Sequence, residues 1–80
     1  MKVFPIPISD ITEVEIIGRE TENIGKFDLS VYDALGMKVL SKVMNDRQGQ
    51  IDLGALRPGL YFIEVFAEGV RLRERVLKIR

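Results

Sequence analysis

The chain has 80 residues, 46% of them hydrophobic, and its twelve basic side chains balance twelve acidic ones. This length suits a single domain, 1–80, and a chain this short buries only roughly 60% of the surface that it exposes when unfolded. The absence of cysteine excludes disulfides and thiolate zinc sites, and the absence of histidine removes the commonest general base and metal ligand. The composition therefore argues against an enzyme, a bound cofactor or small-molecule substrate, and a partnership with nucleic acid.

Targeting signals are missing from the opening residues. No apolar run approaches the ~18–20 residues of a membrane span. The start, MKVFPIPISD, has too short an apolar stretch for a signal peptide, and Pro5 and Pro7 interrupt it. We expect either a chain that is not exported or a piece of a longer exported chain whose signal lies elsewhere.

The first half of the chain alternates apolar and polar residues, which is typical of strands with one buried face. The pattern is clearest in TEVEII (12–17) and KFDLSVYD (26–33), and MKVLSKVM (37–44) is a shorter candidate. Glu13 and Glu15 are predicted to face outward. The predicted inward residues are Val14, Ile16, Phe27, Leu29 and Val31.

The second half continues with QIDL (50–53) and LYFIEVFA (60–67). Because the latter is apolar at every position but Glu64, we expect a central strand that is buried on both faces. In VRLRERVLKIR (70–80), the apolar residues change face along the segment, which predicts a bulge or twist near Glu74. About seven short strands at roughly ten-residue spacing predict a small antiparallel β-sandwich of the immunoglobulin or fibronectin type.

Turn residues separate these strands. In DALG (33–36), Asp33 opens a hairpin turn and Gly36 supplies a positive φ. Glu68-Gly69 is a two-residue link between the last two strands. The corner Leu56-Arg57-Pro58-Gly59-Leu60-Tyr61 has the form of a tyrosine corner, so we expect Tyr61 to bury its ring and return its hydroxyl to nearby backbone.

Charged residues are unevenly spread along the chain. Arg71, Arg73 and Arg75 share one face of the last strand and form a positive row. We expect this row to pair with the Glu13–Glu15 row or with other acids, and the alternative is a docking surface for an acidic partner. Acids such as those at 20, 22 and 46 lack the spacing of a calcium loop.

Several segments in order resemble one family. VFPIPISD resembles the Val-Tyr-Pro-Asn-Pro opening of type A C-terminal sorting domains, which end the cargo proteins of the type IX secretion system in Bacteroidetes. VYDALGMKVL resembles the family's strand–Asp-x-x-Gly–strand hairpin, IDLGALRPGLYFIEV its Leu-x-x-Gly-x-Tyr corner, and RERVLKIR its basic terminal motif. The residues that carry the resemblance are Pro5, Pro7, Asp33, Gly36, Val39, Leu56, Gly59, Tyr61, Lys78 and Arg80.

The resemblance implies a secretion signal and not a catalyst. Such domains fold in the periplasm, are recognised by the outer-membrane translocon, and are usually removed by a sortase-like peptidase, so that the parent is secreted or attached to the cell surface. We expect the recognised residues to be Val76, Leu77, Lys78, Ile79 and Arg80. Exposed edge strands could also pair two copies into a homodimer.

A second interpretation is an immunoglobulin-like structural or adhesive module of a bacterial surface protein. The sorting interpretation requires Arg80 to be the natural C-terminus of a larger protein, and the module does not.

Overall fold

Two antiparallel sheets make up the molecule. The structure, a computed structural model, describes residues 1–4 and 10–79. Its strands are β1 (Lys2–Phe4), β2 (Ile11–Glu15), β3 (Phe27–Asp33), β4 (Lys38–Met44), β5 (Gln48–Asp52), β6 (Gly59–Ala67) and β7 (Val70–Lys78). The sequence prediction of an all-β chain with about seven strands is confirmed. A three-residue 3-10 turn, Arg19–Thr21, interrupts the loop between β2 and β3.

The order of strands is that of an immunoglobulin-like sandwich. One sheet has the order β1-β2-β5 and the other β4-β3-β6-β7. In the constant-type immunoglobulin arrangement the fourth strand joins the first sheet, whereas here it forms a hairpin with β3. Three hairpins, β1-β2, β3-β4 and β6-β7, are thus each confined to one sheet.

The core lies between the sheets and is built by the alternating strand positions. All five residues that were predicted to point inward are buried. Four of them lie on β2 and β3, and Ile16 directly follows β2. They meet the inward side chains of the other strands, which include Met44, Ile51, Ile63, Val65 and Val76. Among the residues that the structure describes, no helix is long and apolar enough to cross a membrane.

β6 is central, as predicted, but it is not buried on both faces. It lies between β3 and β7. Phe66 is nevertheless 39% exposed, because the outer face of the four-stranded sheet has no further layer of described residues packed against it. Arginine side chains of β7 lie over the β6 rings instead.

Of the bulge or twist predicted near Glu74, the bulge is wrong. The strand pairs with β6 without a register shift, from Ala67 opposite Val70 to Gly59 opposite Lys78. The change of face seen in the sequence arises because Leu77 is an outward apolar residue and Lys78 an inward charged one. The register shift in this sheet lies between β3 and β4.

Candidate recognition surface at the end of β7

The corner before β6 fixes the direction in which that strand enters the sheet. Tyr61 is buried, and its hydroxyl donates a hydrogen bond to the carbonyl oxygen of Arg57 at 2.6 Å, as expected for a tyrosine corner. Leu56 packs against the core, and its amide donates to the Leu53 carbonyl at 3.0 Å. Pro58 is exposed and leads into Gly59, which has a φ of 152°. This corner lies beside the end of β7, because Gly59 is opposite Lys78.

The β3-β4 hairpin has the geometry that its sequence predicts. One carboxylate oxygen of Asp33 accepts hydrogen bonds from the amides of Leu35 and Met37, each at 2.9 Å. Gly36 has a φ of 86°, where a side chain would be strained. Both residues stabilise the turn. It lies at the same end of the sheet as the end of β7, because Asp33 is opposite Tyr61 and Tyr61 is opposite Val76.

Alternation divides the predicted recognition residues into two groups. Val76 and Lys78 point inward and are 1% and 2% exposed. Leu77 and Ile79 are 50% and 51% exposed. A partner can therefore reach the second pair, whereas the first pair belongs to the packed interior.

Leu60 extends this surface and was not among the predicted recognition residues. It is opposite Leu77 in the register of β6 and β7, and it is 37% exposed. We call the exposed apolar group at this end of the sheet the terminal patch, and it consists of Leu60, Leu77 and Ile79. The corner before β6 borders it, because Leu60 follows Gly59. Leu60 can be recognised only from the register of β6 and β7, which places it opposite Leu77.

Lys78 is the residue whose surroundings differ most from expectation. The terminal motif suggests a basic side chain available to a partner, but the side chain is almost completely buried. Its cross-strand neighbour is Gly59, and a Cβ built there would meet no heavy atom within 4 Å. The glycine therefore puts no side chain next to the lysine on that face of the sheet.

The arginine row lies on the outer face of β7 and pairs within its own sheet. Arg71 Nε lies 3.6 Å and Arg73 Nε 3.5 Å from the carboxylate of Glu64 on β6. Of the two pairings predicted for the row, the one with other acids is confirmed by Glu64. The one with Glu13 and Glu15 is wrong, because those residues belong to the other sheet. Their carboxylates accept hydrogen bonds from side-chain amides of β5.

Aromatic rings further position these guanidinium groups. Arg71 lies 5.3 Å from the ring centroid of Phe66, and Arg73 lies 5.2 Å from that of Phe62. Arg73 is also 5.8 Å from the Tyr32 ring. These distances are typical of cation–π contacts, which hold the guanidinium groups close to the rings.

Three predicted residues, Pro5, Pro7 and Arg80, lie outside the described residues. Within residues 1–4 and 10–79, no group of three or more acidic side chains could hold a metal ion. What the described surface offers is an apolar patch beside a basic row, which is suited to protein contacts.

Comparison with known proteins gives the family. A family model described as the secretion system C-terminal sorting domain matches residues 2–79, which span all seven strands. A search of curated proteins returned no match. Membership of this family favours a non-catalytic role, a partner in the secretion machinery, and export of the parent protein to the outer membrane or cell surface. It also favours a sorting signal over an adhesive module, and the chain belongs to the family of C-terminal sorting domains that direct cargo through the type IX secretion system.

Proposed function

We propose that this single domain ends a larger secreted protein and that the translocon recognises residues 76–80 through the exposed side chains of Leu77 and Ile79. The observation that carries the proposal is the exposure of Leu77 and Ile79 next to Leu60. Apolar side chains in such a cluster mark protein interaction sites more often than isolated ones do. A paired strand and a hydrogen-bonded corner hold the patch in place, so little conformational entropy is lost when a partner docks.

The steps before and after docking are also part of the proposal. The domain folds in the periplasm after export of the parent, and a sortase-like peptidase separates it from the cargo once the translocon has been passed. A paired sandwich supports this order, because its strands are poor protease substrates and cleavage is directed to the chain outside the fold.

We also propose that two copies of the free domain pair through edge strands to form a homodimer. β7 is unsuited to self-pairing, since antiparallel strands place like faces side by side and would align the row of Arg71, Arg73 and Arg75 with itself. A homodimer would therefore have to pair at β1, β4 or β5, which are short, shifted in register or contacted by Lys42, so we expect this pairing to be weak.

The double variant Leu77→Ser/Ile79→Ser tests the recognition step in a cargo fusion. We expect the cargo to be trapped in the periplasm while the domain keeps its fold, because both side chains are half exposed. Val43→Ser is the matched control, since Val43 is 46% exposed on another strand of the same sheet. Surface delivery is measured by cell fractionation and circular dichroism checks the fold.

Normal delivery of the double variant would refute the terminal patch as the recognised surface. Removal of residues 76–80 should also trap the cargo, but this deletion takes the buried Val76 and Lys78 from the interior as well. The double variant therefore separates loss of docking from loss of folding.

A further inference from the structure

The edge strands of the two sheets differ in how they are protected. β1 has only three residues, and the pairing of β4 with β3 contains a register shift. At β5, the edge of the other sheet, the Gln50 carbonyl accepts a hydrogen bond from Lys42 Nζ. Short strands, bulges and lysines of this kind discourage the addition of another strand. β7 has nine residues in unbroken register, and no strand of the described residues pairs with its other side.

The outer face beside this edge is positively charged. Arg71, Arg73 and Arg75 carry three positive charges, and Glu64, which contacts the first two, carries one negative charge, so these four side chains sum to +2 (three minus one). The side chains of Arg71 and Arg73 are 65% and 55% exposed although both contact Glu64. Glu64 and the aromatic rings hold these two guanidinium groups close to the sheet and leave them accessible.

We infer that residues 70–75 of β7 accept an added strand from an acidic segment of a partner polypeptide. The backbone groups on the side of β7 that no described strand covers supply the hydrogen bonds of strand addition. The arginine row selects carboxylates at alternate positions of the incoming strand. A second copy of this chain does not meet this requirement, because its own β7 would bring arginines opposite arginines. The inference rests on the proposed function for the identity of the partner, which is a component of the secretion machinery.

The test uses the 80-residue chain and a synthetic ten-residue peptide of alternating threonine and glutamate. We expect the peptide to shift the amide resonances of residues 70–75 and to give interstrand nuclear Overhauser effects with them. The same peptide methylated on every backbone nitrogen keeps its charge but cannot pair as a strand, so it should not bind. Equal binding of the methylated peptide, or shifts confined to other edges, would overturn the inference.

Arg73→Glu tests the role of charge. It should weaken peptide binding by about tenfold, because a cross-strand attraction becomes a repulsion. Arg19→Glu is the control and should leave binding unchanged, since Arg19 is exposed on the 3-10 turn, outside the four-stranded sheet. If the double variant Leu77→Ser/Ile79→Ser abolishes cargo delivery while the wild-type chain binds no acidic peptide, the proposed function stands and this inference fails.

Discussion

At the scale of single residues, the hydroxyl of Tyr61 connects β6 to the corner that precedes it. Tyr61→Phe should lower the free energy of unfolding by about 1 kcal/mol, since the change removes one partly buried hydrogen bond to the Arg57 carbonyl. Urea denaturation followed by circular dichroism measures the effect. Tyr32→Phe removes a hydroxyl from the outer face of the sheet and should change stability much less. Equal losses in the two variants would show that the corner bond contributes nothing specific.

At the scale of the strand, β7 combines two kinds of residue in alternation. Val76→Ala should destabilise the domain by about 2 kcal/mol, because it removes buried methyl groups from the core. Leu77→Ala, one residue later, should change the free energy of unfolding by less than about 0.5 kcal/mol because its side chain is half exposed. Thermal denaturation of both variants measures the difference. The reverse order of effects would mean that β7 has the opposite face inward.

The turns could be predicted from the sequence, whereas the inward face at the end of β7 could not. Local turn chemistry made the hairpin at Asp33 and Gly36 and the corner at Tyr61 predictable, since each depends on a few neighbouring residues. The inward position of Lys78 was not predictable, because a lysine is rarely so buried and residue type alone favours Leu77 as the inward residue. The pairing with β6 over the whole strand decides the matter, and that register is a long-range property.

At the scale of the whole molecule, both sheets depend on one small core. A domain of this length has a stability of about 4–12 kcal/mol, so neither sheet is expected to persist without the other. Ile51→Val on β5 and Ile63→Val on β6 should each lower the free energy of unfolding by about 1 kcal/mol. Ile11→Val is the control, since Ile11 is 52% exposed. Far-ultraviolet circular dichroism and tyrosine fluorescence should report coincident transitions, and separate midpoints would contradict this cooperativity.

The position of β6 between β3 and β7 has a consequence for damaged chains. β6 is rich in β-branched and aromatic residues, and its only charged side chain is Glu64. If premature termination or proteolysis removed part of β7, the backbone hydrogen-bonding groups on one side of β6 would be unpaired. Such an edge is prone to amyloid-like stacking with other chains. Because such stacks are kinetically and thermodynamically very stable, chains cut within β7 are expected to accumulate as aggregates and not to refold.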